Sequence, residues 1–400
     1  MPTVFPNTPG VQINEVRLVA PPIQGASTSV AGFVGAAPKT GRFTNTPRLV
    51  TSADQFSANY VLADPTVAGD TSATRSTPLS RGVYGFFDNG GTQCYVLNVD
   101  AGDGNAIVAG LKQLETLHDI SIIAVPGHTE APIYQELEDQ CFRTGNRVAI
   151  LDPHPVADIT TGGAPDLSRL ITNAAGGGVR PPDSIYAAYY YPRIVVAPQP
   201  GLRDDPALEA VGPSGHIAGV YASIDGSRGV HKAPANQAVR GALDVEQRLV
   251  DADQNALNVD GVNLLRVFPE GVVVWGARTL QTASSPLDTT YQYINVRRLV
   301  IYVEESLKAG LRWATFEPNT LALRQQITRS TRAFLDGVWR DGALFGATAD
   351  DAYYVRFPEL FNSDADRAAG RLTLEIGLRV TFPAEFIVVR IGIILQSPNS

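Results

Sequence analysis

From residue 94 onward, apolar and polar positions follow two alternating periods. The runs 94–99 (CYVLNV), 120–125 (ISIIAV) and 148–151 are short and nearly continuous in apolar residues, the pattern of strands buried on both faces. Between the first two, Ile107, Leu111, Leu114 and Leu117 recur at helical spacing behind Asn105, a residue suited to capping a helix. Residues 132–142 read as a second helix, and 189–197 (YYYPRIVVA) contain a further strand. Residues 216–224 read as a helix with Ile217, Val220, Tyr221 and Ile224 on one side. Strands alternating with helices predict a parallel sheet covered on its faces. Upstream, 29–35 (SVAGFVG) is a candidate buried strand, and most of 26–90, above all 63–80, reads as Thr-, Ser- and Gly-rich surface loop. Loops are also expected at 153–184 and 198–212.

A different pattern begins near residue 271. Residues 271–275 (GVVVW) read as a strand, and 294–309 as an amphipathic helix with Val296, Leu299, Val300, Val303 and Leu307 inward. A helix over 320–339 gathers Leu323, Ile327, Thr331, Phe334 and Val338 on one face and Arg324, Arg329 and Arg332 on roughly the opposite one. Residues 371–378 alternate strictly, with Leu372, Leu374, Ile376 and Leu378 on one face of a strand. After Pro383 comes an apolar strand, 386–395, containing Phe386, Ile387, Val388, Val389, Ile391 and Ile393. At the other end, Pro2, Pro6, Pro9, Pro21 and Pro22 forbid a helix. Between them Val11 and Ile13 lie in one strand phase and Val16 and Leu18 in the other, so 10–19 reads as an extended segment with a bulge. The expected organisation is an arm over 1–24, an α/β domain over 25–270, a smaller α+β domain over 271–382 and a second arm over 383–400.

An exposed apolar strand is an aggregation hazard unless something pairs with it. The partner is either the chain's own sheet or a sheet edge on a neighbour. Donation from one copy to the next makes a heterologous contact, which yields a ring or an open helix.

Four hundred residues exceed one compact core. The net charge of −8 argues against a general nucleic-acid binder, although residues 291–347 hold eight Lys/Arg against five Asp/Glu, a local +3. That patch is either a solvated helix face or a dock for an acidic partner. Cys94 and Cys141 stand alone and are expected as buried thiols. No secretory leader is expected from the opening MPTVFPNTPGV, and the run 386–395 is interrupted by Arg390 and too short to cross a membrane.

Catalytic and ligand motifs fail on detail. Gly102 and Gly104 imitate a dinucleotide loop, but Ile107 occupies the third glycine position. Residues 35–40 (GAAPKT) lack the glycine a phosphate loop needs before Lys39. Asp251, Asp253 and Asn255 begin like a calcium loop, yet Ala256 and Val262 stand where Gly and Glu belong. The five histidines, 118, 128, 154, 216 and 231, form no zinc spacing. A hydrolase triad has no GxSxG elbow, and Gly127-His128-Thr129 and Asp225-Gly226-Ser227 come without a nucleophile segment. No cofactor, metal or catalytic residue is therefore expected. The enzyme class left in play is a soluble hydrolase-like α/β protein, and a closed-shell scaffold is the other alternative.

Several strings together resemble tail sheath proteins of contractile phage tails, R-type pyocins and extracellular contractile injection systems. They are 85–99 (GFFDNGGTQCYVLNV), 213–236 (PSGHIAGVYASIDGSRGVHKAPAN), 271–280 (GVVVWGARTL), 296–306 (VRRLVIYVEES), 313–319 (WATFEPN), 339–346 (WRDGALFG) and 370–386 (GRLTLEIGLRVTFPAEF), with an arm-like opening TPGVQINEV. The resemblance implies a non-enzymatic subunit, assembled in a bacterial cytoplasm into stacked hexameric rings around an inner tube protein, with baseplate and terminator or cap proteins as further partners. It implies neither nucleic-acid binding nor membrane insertion. It also implies a subtilisin-like larger domain, and terminal strands (10–19 and 386–395) donated to neighbours, with 372–378 as part of the acceptor sheet. It makes Arg324, Arg329 and Arg332 tube-contact candidates. The turn before GVVVW, Phe268-Pro269-Glu270-Gly271, is shorter than the family often has.

Overall fold

The computed structural model describes residues 22–100, 103–199, 201–281 and 289–385. The expected donor residues Val11, Ile13, Val16 and Leu18, and Phe386, Ile387, Val388, Val389, Ile391 and Ile393, lie outside these residues.

The first strands in chain order are β1 (Ala31–Gly35), β2 (Arg48–Val50), β3 (Cys94–Asn98), β4 (Ile122–Ala124) and β5 (Val148–Leu151), followed by a small hairpin of β6 (Thr160–Thr161) and β7 (Ala164–Pro165). Then come β8 (Ala187–Tyr191), β9 (Ile194–Val196), β10 (Glu209–Val211), β11 (Gln237–Ala238), β12 (Ala242–Val245), β13 (Val262–Phe268) and β14 (Gly271–Trp275). Nine of them form one sheet in the order β11-β14-β13-β8-β5-β4-β1-β3-β2. Pairing is parallel from β13 through to β3, and β14, β11 and β2 attach antiparallel at the margins. The run 189–197 is thus two strands in two sheets, because β9 pairs with β10 and β12 instead. GVVVW closes the large sheet rather than opening a second unit. Its register against β13 (Leu264 opposite Trp275, Phe268 opposite Gly271) corrects the division expected at residue 271.

Alternate side chains enter opposite cores, Phe33 and Val96 on one side, Val34 and Leu97 on the other. Helices α3 (Gly104–Leu114) and α4 (Ala131–Thr144) cover the second side. Asp103, not Asn105, caps α3, accepting from the Ala106 N–H at 2.8 Å, and the helix stops before Leu117. The first side is covered by α1 (Ala53–Tyr60), α2 (Pro78–Asp88) and α5 (Ser214–Arg228). Helices α1 and α2 occupy sequence expected to be largely loop. Helix α2 begins on a Thr77–Ser80 capping box with Pro78 at its first turn. It crosses α5 at backbone contact. A β-carbon on Gly215 would lie 2.2 Å from the Gly82 carbonyl oxygen, and one on Gly219 would lie 2.3 Å from that of Phe86.

Beyond α6 (Asp251–Val259), helix α7 (Ile294–Gly310) serves two cores. Ile294 and Ile301 enter the first-side core of the sheet, while Leu299 and Val303 enter a separate smaller core. Arg298 pins α7 to α5. It pairs with Asp225 at 2.5 Å, donates to the Thr28 carbonyl at 2.9 Å and lies over the Tyr221 ring. Residues 22–24, the described end of the expected N-terminal arm, also lie at α7, where Ile23 packs against Gly310. Both cysteines are buried thiols.

Removing one partner of a buried ion pair strands the other charge, at a cost of about 3–5 kcal/mol. Asp225→Asn should show that loss in urea denaturation, and replacing Asp225 and Arg298 together by Leu and Met should restore most of it. A second outcome follows from His216, buried under α2. Burial and nearby Arg81 lower its pKa from 6.5 to about 4. The unfolded chain therefore binds the extra proton first, and stability falls as pH drops from 6.5 toward 4, by about 3 kcal/mol in full. Unfolding free energies measured between pH 7 and 4.5 should fall less steeply for His216→Gln.

Candidate assembly surface

The smaller core is assembled from α7, α8 (Leu321–Arg340), α9 (Ala349–Ala352) and two short strands, β15 (Tyr353–Arg356) and β16 (Glu375–Leu378). Thr320 caps α8, accepting from the Leu323 N–H, and the helix buries Leu323, Ile327, Thr331, Leu335 and Val338. Leu335 takes the fully buried place expected for Phe334, which packs at the margin of this core.

The three expected arginines do not form one cluster. Arg329 and Arg332 are exposed, and Arg332 lies 3.8 Å from Asp350. Arg324 is half-buried on the flank of the apolar face. It donates to the Asn319 side chain at 3.1 Å and lies over the Phe357 ring. The helical period accounts for this. Arg324 is one residue from buried Leu323 and three from buried Ile327, whereas Arg329 falls about 140° further round. Near the start of the helix, Phe316 is fully exposed with a φ of 71°, and Leu321 is also exposed.

The expected strand 371–378 is shorter than its alternation suggests. Arg371 N–H bonds the Asp366 carbonyl, and Thr373 exchanges two bonds with the Asn362 side chain, so 371–373 belong to the turn after α10 (Asp364–Ala368). Leu372 and Leu374 precede the strand. Leu374, Ile376 and Leu378 pack on the smaller core, and Leu372 does not join it. β16 pairs antiparallel with β15, Tyr353 opposite Leu378, and the ladder extends through Phe345 to Arg379 (2.7 Å) and Arg379 to Ala352 (2.9 Å). Among the described residues this sheet has two strands of four residues each. Such a sheet is marginal alone and presents unpaired edges.

The chain then passes from Thr381 to Glu385 back to the large unit. Glu385 accepts from Arg278 Nε (3.0 Å) and Nη2 (2.5 Å), Asn258 Nδ2 (2.9 Å) and Tyr293 OH (3.0 Å). Burial opposes ionisation of Glu385, and its hydrogen bonds from Arg278 and Asn258 prevail, holding the carboxyl below the ordinary range. Beside it a cavity of about 1110 Å³ opens between this segment and the sheet margin, with Phe268, Trp275 and Tyr293 in its walls. Periodicity could not have found this cluster. Its only sequence signal was the string ending PAEF.

Of the residues weighed for a triad, Asp225 pairs with Arg298 and His128 faces Glu130 at 3.2 Å. Asp152 accepts from the Gly127 N–H (2.7 Å), the Ser214 N–H (2.7 Å) and the Ser214 hydroxyl (2.9 Å), an anion at the start of α5. Burial raises its carboxyl above the usual range despite those bonds. His154 faces Asp158 and Thr129 instead. Among the described residues no three His, Cys, Asp or Glu side chains group to hold a metal, and no helix is long and apolar enough to cross a membrane.

Residues 101–280 match the phage tail sheath protein central domain, and residues 287–394 match the phage tail sheath C-terminal domain. A prophage major tail sheath protein of Pseudomonas aeruginosa (strain UCBPP-PA14) is 26% identical over 180 residues, which span 43% of this chain and 43% of that protein. The match thus covers under half of that relative's length. The PVC sheath complex of an extracellular contractile injection system, solved in its contracted state, contains a chain 27% identical to this one, with a TM-score of 0.76 over 98% of each. A chain in the six-fold symmetrised baseplate of the anti-feeding prophage is 27% identical, with a TM-score of 0.74 over 98% of this chain and 100% of that one. The two domain matches follow one another along the sequence and the structural likeness runs through both units; the chain belongs to the phage tail sheath family.

Proposed function

We propose that this protein is a structural subunit of a contractile sheath, which surrounds an inner tube and contracts to drive it through a target envelope. The observation that carries the reading is the likeness over 98% of the chain to a sheath subunit of a contractile injection system. A hydrolase or a closed-shell scaffold has no comparable support.

In this reading copies stack as hexameric rings, an inner tube protein lies within, and baseplate and terminator proteins bound the two ends. The particle assembles in a bacterial cytoplasm. The subunit acts without catalysis, and its nine-stranded unit is the subtilisin-like domain of the family. Extended sheath is a kinetic trap, and contraction moves subunits as nearly rigid bodies while new contacts form. Rigid-body motion suits a chain whose two cores share α7 and a buried ion pair. Residues 10–19 and 386–395 act as strands donated to neighbours. The marginal size of the β15–β16 sheet and the edge left unpaired among the described residues support that role. Arg329 and Arg332, on the exposed face of α8, contact the tube, with Arg324 at the border of that face.

Deleting residues 386–400 should leave a protein that unfolds thermally like the full chain but forms no polymer by negative-stain electron microscopy. Polymers of normal appearance from the truncated chain would remove strand donation. Reversing Arg329 and Arg332 to Glu should reduce co-assembly with the cognate tube while tube-free polymers still form, because the loss repeats at each subunit along the tube. Equal loss of both assemblies would argue against tube contact.

A further inference from the structure

The last five described residues cross from one unit to the other, and both ends of the crossing are fastened. At its start the Thr381 N–H and hydroxyl both reach the Ala343 carbonyl, at 3.2 and 3.1 Å, in the small unit. At its end Glu385 receives four hydrogen bonds from three residues of the large unit and the start of α7. Between them the Phe382 ring meets Tyr293 edge-on. The clamp has its own foundation. Arg278 is largely buried, and its Nη1 donates to the Asn258 carbonyl at 2.9 Å. The Arg278 backbone N–H donates to Asn263 Oδ1 at 2.7 Å and its carbonyl accepts from Asn263 Nδ2 at 2.8 Å, and Asn263 lies in β13 of the nine-stranded sheet. A carboxylate met by a planar guanidinium in this two-point manner is fixed in direction as well as position.

We propose that Glu385 is a positioning residue for strand exchange: its clamp anchors the root of residues 386–400 to the nine-stranded sheet, so that an arm held by a neighbour pulls on the large unit. The proposal rests on the reading of 386–395 as a donated strand. Without the clamp the last hydrogen-bonded attachment before the arm, among the described residues, is Thr381 on Ala343, next to a ladder paired over four residues. Load drawn through the arm would then act on that short ladder. A fixed root also reduces the orientations an arm must give up on entering a neighbour, which favours association by preorganisation.

The test uses the full chain, Glu385→Ala, Glu385→Gln and the chain ending at Glu385, each assayed for folding by circular dichroism and for the critical concentration of polymerisation. Glu385→Ala is expected to fold and to need at least tenfold more protein to polymerise, with Glu385→Gln in between. A nitroxide at position 387 should be immobilised in the unassembled native chain and released in Glu385→Ala, which a general loss of stability would not produce at native melting temperature. Where Glu385→Ala fails to fold, Glu385→Gln carries the comparison, since it keeps the shape and gives up only the charge. Native critical concentrations and an unchanged label spectrum, with the truncated chain unable to polymerise, would overturn the clamp and leave strand donation standing. Polymerisation of the truncated chain would overturn strand donation itself, and the clamp's role with it.

Discussion

One buried ion pair sets the register of the helix that joins the two units. Arg298 and Asp225 each have a side chain only 3% exposed, and taking such charges from water costs several kcal/mol apiece before their attraction is counted. The pair contributes little net stability over an apolar pair of the same shape, but it tolerates little displacement. The Arg298 guanidinium must reach both Asp225 oxygens and the Thr28 carbonyl, with Tyr221 beneath it, so α7 has one register on α5. The next residue, Leu299, enters the smaller core. The position of that core on the large sheet follows from the register of a single helix.

What α7 carries is incomplete by the standards of an independent domain. Its sheet has two four-residue strands among the described residues, and its core draws on α7, α8, β15 and the Ala343–Leu344 segment together. The crossing from Thr381 to Glu385 adds a second link back to the large unit. Two links on either side of a small core make a stiff body, and stiffness is what a subunit needs if motion is to occur at its surfaces.

Much of this architecture was readable in the chain. Strands buried on both faces, such as β4 and β5, announce themselves by unbroken apolar runs, and the long helices α7 and α8 by their stripes. The failures have definite causes. Helix α2 follows a loop-like stretch and holds two glycines and a serine among its eleven residues, and it packs through those glycines, so its composition resembles a loop. The boundary at 271 misled because β14 pairs with β13 through a tight turn, and only pairing reveals which sheet a strand joins. Leu372 kept perfect alternation but lost its strand to side-chain bonds from Asn362, which alternation does not register. Arg324 sits at the border of the exposed face because the three arginines spread over about 140° of the helix. The Arg278–Glu385 clamp joins residues 107 positions apart, beyond any local pattern.

The edge of β16 that is unpaired among the described residues and the apolar run at 386–395 pose one question. A chain selected to remain monomeric blunts a sheet edge with charge, proline or a covering loop, and keeps long apolar strands inside. Here Pro383 stands before the run rather than within it, and Arg390 is the one charge among ten residues. Among the described residues the β15–β16 sheet meanwhile has two strands. A single copy that added its own strand to its own edge would satisfy both and polymerise nothing. In the proposed reading, a root fastened at Glu385 makes the arm leave from the large unit, where the chain is held, and enter a neighbour's sheet.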